Sequence, residues 1–307
     1  MATATASAFM RKGWDDLELV VRGFFRILRR DVLGVLGFGI LLVFVFVAIF
    51  APWIAPYPDQ GRGLSNLAER FRPPSLAHLL GTDEFGRDLL SRLMFGTQLA
   101  LLVGVLTVAL AFPVGVVLGA IAGYARGLIE EIIMRVTDMF LAFPPILLAF
   151  VIAASLGGGS SIVLIIAMAV SFWPWYTRLV HSQVLHVRSQ AFVEAATVLG
   201  LPRRRILTRH ILPNTLTSAS IQASMDTGSA ILIGSALSYI GLGPQAPIPD
   251  WGLMFNTAYL SGSFLTFWWY STFTGLAIFL VVLSFNLIGD TLRDALDPKL
   301  RRRRLIM

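Results

Sequence analysis

Residues 32–57 read VLGVLGFGILLVFVFVAIFAPWIAPY, 26 residues without a charge. About 20 apolar residues in a helix cross a hydrocarbon core of ~30 Å, so this stretch is long enough to span a membrane. It is too long for the apolar part of a cleaved leader, and 31 residues with six basic ones precede it. It therefore reads as a retained anchor. The composition carries the same message along the whole chain. Of 307 residues, 56% are hydrophobic and 14% charged, against ~25% charged in soluble domains. That balance excludes a single soluble enzyme domain, and it excludes a disordered chain.

Working outward from this first span, residues 93–125 form a second. Residues 139–177 are too long for one helix, and Gly157, Gly158 and Gly159 divide them. A third helix is expected from near Ile129, with Arg135 and Asp138 paired at i,i+3. Pro144 and Pro145 would open its hydrogen-bond ladder. Further helices are expected over 161–178, over 216–240 around Asp226, and over 267–288. The expectation is an all-α integral membrane protein of six transmembrane helices.

Charge sets its orientation. Twenty of the 25 lysines and arginines fall before span 1, after span 6, in the 4–5 connection or around the 2–3 turn. The positive-inside rule then places both termini in the cytoplasm. The chain divides into a cytoplasmic segment 1–31, a six-helix domain 32–298 and a basic tail 299–307. Within the domain lie an outer loop 56–96 and a cytoplasmic hairpin 182–214. Residues 14–28 alternate apolar and arginine positions at helical spacing, as an amphipathic helix on the inner leaflet does. Arg301 to Arg304 read equally as a contact with anionic lipid and as a solvated stop-transfer tail. Trp53, Tyr57, Trp268, Trp269 and Tyr270 are expected in an outer aromatic belt, and Trp173, Trp175 and Tyr176 in an inner one.

The chemistry on offer is limited. There is no cysteine, hence no thiolate nucleophile. The two lysines, Lys12 and Lys299, follow no glycine-rich phosphate loop, so any ATPase must be another chain. His181, His186 and His210 lack metal-ligand spacing and no H-E-x-x-H occurs. No catalytic set, resident metal or cofactor is expected, and no nucleic acid partner. Asp83, Glu84, Arg87 and Asp88 read mainly as a locally paired turn and helix start, with Asp83 near the N-cap. Asp226, mid-span, is expensive in lipid. It reads equally as a residue of a translocation path and as a group bonded to neighbouring helices.

The connection after span 4 carries the strongest pattern. Ser189 suits an N-cap for a helix beginning at Gln190. Phe192, Ala195, Ala196 and Leu199 then share a face. Gly200 suits a left-handed helix end, and Pro202 the first turn of a second helix over 203–212, which Pro213 would stop. A helix–turn–helix with small alanines on one face and four arginines on another suits docking of a cytoplasmic partner.

These residues also carry a resemblance. EAATVLG (194–200) followed by HILPN (210–214) is similar to the EAA loop of ABC-importer permeases, with His210 at a position usually held by Ile. LGTDEFGRD (80–88), LSYIGLG (237–243) and NLIGDTLRD (286–294) resemble the oligopeptide/dipeptide/nickel branch of that family. They point to the second permease of the pair. The resemblance implies that Phe192, Glu194, Ala195, Ala196, Gly200, His210, Leu212 and Pro213 meet an ATPase. It implies a homologous second permease, two ATPase subunits that hold ATP and Mg²⁺, and an extracytoplasmic solute-binding protein. Peptides are the expected cargo, with nickel, glutathione or oligosaccharide as alternatives. Family members often carry an acid where this chain has Gly234, and Asp226 lies two turns earlier. A stand-alone secondary transporter is the rival reading, weakened by a single intramembrane acid and by unlike halves. A membrane enzyme is weaker still.

Overall fold

The computed structural model describes residues 31–262 and 266–296. The amphipathic stretch at 14–28 and the arginine tail lie outside the described residues. Among the described residues the chain is helical, without a strand beyond one isolated bridge between Thr82 and Asp88.

Helix α1 is Val32–Ile54. Its cap, Asp31, accepts a hydrogen bond from the Leu33 N–H at 3.1 Å and another from the Thr291 hydroxyl at 2.7 Å. The capped end is thereby tied to the last helix of the chain. Only Gly34, Gly37 and Ala51 of α1 are buried. Any side chain at the two glycines would strike Thr291 or Leu287, so small residues set a close helix crossing. The rest of α1 presents Leu, Val and Phe outward, as lipid requires.

A short α2 (Pro58–Arg62) leads into the outer loop. Helix α3, Leu89–Ala125, has 37 residues and is about 55 Å long. It packs most extensively against α6, Ser161–Arg188. Gly115, Gly119 and Gly123, spaced by four, form the seam. They abut Tyr176 and Trp173, then Thr177 and Val180, then Val184.

Helices α4 (Leu128–Leu141) and α5 (Pro145–Ser155) meet at 86°. The proline pair was expected to open one ladder locally. Pro145 lacks an N–H, and the residue before a proline is driven out of the helical region, so the chain turns a corner instead. Arg135 does not pair with Asp138: it lies 3.6 Å from Glu131, and Asp138 pairs with Arg178 of α6.

After α6 come α7 (Ala191–Val198), α8 (Arg203–Ile206) and a π turn Leu207–Ile211 that runs directly into α9 (Leu212–Tyr239). Pro213 therefore does not stop a helix; it sits in the first turn of one, where its missing N–H costs little. The π turn absorbs the altered register, and Asn214 Nδ2 donates to the His210 carbonyl at 2.7 Å. Helices α10 (Trp251–Leu260) and α11 (Trp268–Leu296) complete the fold.

Among the described residues four helices, α1, α3, α6 and α11, are long and apolar enough to cross a membrane, and the bent pair α4–α5 passes that test jointly. Helix α9 is as long as α6 but carries Gln222, Asp226 and a series of serines and threonines. The aromatic belts are corrected in part. Trp53, Trp268 and Trp175 are exposed, but Tyr176, Trp269 and Tyr270 are buried against other helices.

Candidate functional site

Helix α6 extends to Arg188, ten residues past the expected end, and Ser189 closes it rather than capping the next. The cap of α7 is Gln190. On α7, Val193 and Ala196 point inward and join Val180, Val184, Val187, Ile206, Ile211 and Ala219 in one apolar cluster. Phe192, Glu194, Ala195 and Leu199 are left exposed. Of the four residues expected to share a docking face, Ala196 alone turns inward. Glu194 makes no ion pair among the described residues. Arg188, at the end of α6, instead donates to the Tyr124 carbonyl at 2.9 Å and stacks on that ring.

Gly200 adopts φ +73° with no atom within 4 Å of where a side chain would start. The glycine serves conformation, not space. Its N–H reaches the Thr197 carbonyl and the Leu201 N–H reaches that of Ala196. Arg203, Arg204 and Arg205 are exposed, as is Pro213, while His210 and Leu212 are half-buried. The hairpin therefore rests on an apolar root and presents Phe192, Glu194, Ala195 and Leu199 outward, with a basic edge beside them. Sequence reading missed Ile206 and Ile211 in that root. Their spacing from Val193 and Ala196 was legible only once the turn at Gly200 was known.

The root is braced by polar contacts. His181 Nε2 lies 2.8 Å from Glu130 of α4, and Arg178 pairs with Asp138. The bracing ties α4 to α6 next to the hairpin.

Asp226 lies 16 residues after His210, about 24 Å along the helix, and belongs to a different feature. Gln222, Asp226 and Ser229 line a cavity of about 390 Å³ together with Phe172, Trp175 and Pro145. The carboxylate accepts a hydrogen bond from Gln222 Nε2 at 2.8 Å. Gly234, at the position where an acid was anticipated, is a packing residue against Val103 and Met168.

The charge group at 83–88 is paired, as the sequence led one to expect, but deeply buried. Asp83 accepts from Arg87 Nε at 2.6 Å and from the N–H groups of Phe85 and Arg87. Asp88, not Asp83, caps α3 through the Ser91 N–H. Glu84 lies 3.1 Å from Arg87. Burial, and then the neighbouring Asp83, push its carboxyl above the usual range. Arg92 donates to the Pro247 carbonyl at 2.7 Å. His78, overlooked in the sequence, is buried with Nδ1 2.9 Å from Asp88 and Nε2 3.1 Å from Glu69. Its partners are nine and ten residues away, so no local pattern announces it.

A helical membrane protein with a braced helical hairpin and a cavity holding an acid between its helices has the parts of a transport permease, and the comparisons with known proteins agree. Residues 115–302 match the family described as binding-protein-dependent transport system inner membrane component. Residues 21–74 match the N-terminal transmembrane domain of oligopeptide transport permease C. The chain belongs to the family of binding-protein-dependent transport system inner membrane components. It is 42% identical over 278 residues to the dipeptide transport system permease protein of Alkalihalophilus pseudofirmus, covering 90% of this chain and 89% of that one. It is 41% identical over 272 residues to a probable D,D-dipeptide transport system permease protein of Escherichia coli K12, covering 89% of each. A glutathione transport system permease protein of Escherichia coli O6:K15:H31 is 42% identical over 288 residues, 94% of this chain and 93% of that one. The expected resemblance to ABC-importer permeases of the peptide type is borne out.

Proposed function

We propose that this chain is the second permease of a pair in an ATP-driven importer of short peptides. It would cross the inner membrane six times, with α9 as the fifth span and the bent α4–α5 as the third. Both termini would face the cytoplasm. Helix α9 is the least apolar span because one side of it faces the solute path rather than lipid. A homologous permease would complete the pore, and an extracytoplasmic solute-binding protein would deliver the peptide. Two cytoplasmic ATPases, holding ATP and Mg²⁺, would grip the hairpins. Phe192, Glu194, Ala195, Gly200, His210, Leu212 and Pro213 form the coupling surface, with Ala196 in its root. Asp226 belongs to the translocation path. By itself the chain catalyses no reaction.

One observation carries this reading. The apolar face of α7 is split, Val193 and Ala196 anchoring it while Phe192, Ala195 and Leu199 stand in solvent beside Glu194, which makes no ion pair among the described residues. Such exposed apolar surface is normal in a protein that covers it with a partner. Polar contacts at the root, Arg178 with Asp138 and His181 with Glu130, give a route from hairpin to the bent pair α4–α5. The relative that carries glutathione in its name favours a second reading, in which the peptide is glutathione.

The test is co-purification of the tagged chain, followed by Glu194→Ala. We expect an ATPase and a second permease in the complex, and uptake of dialanine that needs ATP. In the variant the complex still folds, but solute-stimulated ATP hydrolysis and uptake both fall at least tenfold. A chain that purifies alone and transports without ATP would overturn the class. Full coupling in the variant would overturn the assignment of the hairpin.

A further inference from the structure

The cavity beside α5, α6 and α9 has the volume of a small-molecule site, about 390 Å³. Its α9 wall is a stripe, Gln222, Asp226 and Ser229 following one another at i, i+4 and i+7. Phe172 and Trp175 form the facing wall, Trp175 with half its surface open, and Pro145 marks the break between α4 and α5. Among the described residues no basic side chain lines the cavity. Asp226 accepts from Gln222 and makes no ion pair among the described residues. The hydroxyl of Tyr176, fully buried, comes up beside it as a second neutral group. An acid in this position, with polar groups gathered around it and no counter-charge, is set to receive a cation from the cavity. Aromatic faces add to the attraction of an ammonium group and cover an apolar side chain attached to it.

We propose that this cavity is a transit subsite for solutes bearing an ammonium group, with Asp226 as the counter-ion and Phe172 and Trp175 as the wall for the adjoining apolar portion. The inference rests on the permease reading and deepens it. Every peptide with a free amino terminus carries such a group. The subsite would hold it briefly after release from the binding protein, so the permease itself would favour cationic over anionic solutes.

The chain has no cysteine, so Ser229→Cys puts a unique thiol of this chain in the cavity. Ile233→Cys, on the same lining, serves if the first variant fails to assemble. In the purified complex, ethyl-methanethiosulfonate probes ending in trimethylammonium or in sulfonate are compared by the mass of this chain. Relative to a free thiol, we expect the cationic probe to be favoured at least tenfold. Adding Asp226→Asn should bring that preference within twofold of a free thiol. Phenethylammonium should slow labelling, and its N-acetyl derivative should not. A preference that survives Asp226→Asn, its absence in the parent variant, or equal protection by the amine and its amide would overturn the subsite. The permease reading fails on other grounds, namely absence of the ATPase from the complex or ATP-independent dialanine uptake. The probe ratios are read on the same preparation without ATP, so the two failures are distinguishable.

Discussion

In the loop before α3 Asp83, Arg87 and Asp88, with Arg92 of α3 itself, are each no more than 3% exposed. On the hairpin after α6 Glu194, Arg203, Arg204 and Arg205 all stand in solvent. Both regions were visible in the sequence as dense charge beside glycine, yet the chain treats them in opposite ways. A buried charge survives only where partners replace its lost water. The buried group meets that condition through Asp83 with Arg87, Asp88 with His78, and Arg92 with the Pro247 carbonyl. Exposed charges add little stability. Those of the hairpin are therefore to be understood by what they meet, and those of the buried cap by what they fasten. The cap joins the loop after α1 to α10 and α11, where Trp251 donates to the Leu93 carbonyl and Trp269 to that of Thr82. It is a frame, and the hairpin is a surface.

The comparison breaks most visibly at Arg87. Its removal strands Asp83 and Glu84 without their buried cation, a loss of about 3–5 kcal/mol. Arg87→Ala should lower the melting midpoint of the complex by about 10 °C, read by scanning fluorimetry. A change of a degree or two would mean that the cap is hydrated and the contrast false.

Asp250 offers a second test, through pH. It caps α10 through the Leu253 N–H at 2.8 Å, and burial pushes its carboxyl up to about 6. The folded state thus holds the proton more tightly than the unfolded chain does. That contribution is fully present below about pH 4 and is lost as pH rises through about 6. It amounts to roughly 3 kcal/mol at most. Asp250→Asn keeps a capping side chain and should flatten the stability profile of the complex between pH 4 and 6. A profile as steep as that of the parent would place the transition on another group, Glu84 being the first candidate.

The helix seam is the third. Gly119 of α3 faces the Thr177 carbonyl and the Val180 side chain of α6. Gly119→Leu overpacks a backbone contact, costing about 1–3 kcal/mol or more, and should reduce the yield of folded complex. Gly119→Ala should do the same to a smaller degree. An unaffected yield in both would show that α3 and α6 separate freely.

How much of this was legible beforehand follows from the range of each interaction. The spans announce themselves by composition over twenty residues, and Gly200 by its place after an apolar repeat. Pro213 misled, because proline is equally at home after one helix and in the first turn of another, and only the π turn before it decides. The 86° corner at Pro144 and Pro145 was underestimated because local rules give a break but no angle. The seam of Gly115, Gly119 and Gly123 was readable as a spacing of four and was missed. His78 was not readable, since its carboxylates come from nine and ten residues away through a loop with no periodicity. The Asp226 cavity needed three elements to meet, and one of them is defined by that unpredicted corner.

The smallest effect on stability is expected at Gly200, and it separates frame from surface most finely. With φ +73° and empty space around it, alanine there meets no neighbour and pays only for the left-handed backbone, about 1 kcal/mol. Gly200→Ala should therefore leave the melting midpoint within a few degrees of the parent. An alanine that escapes this strain by leaving the left-handed region tilts α7 against α8 at a cost of the same order, and if the hairpin is the coupling surface that tilt moves Phe192 and Glu194 off their partner. Solute-stimulated ATP hydrolysis by the complex should then fall severalfold, while basal hydrolysis by the ATPases persists. Equal loss of coupling in Gly200→Ala and Arg87→Ala, at such different costs in stability, would identify coupling as a function of geometry at the hairpin and of rigidity at the cap. Coupling that tracked the melting midpoint across both would mean the hairpin has no role beyond folding.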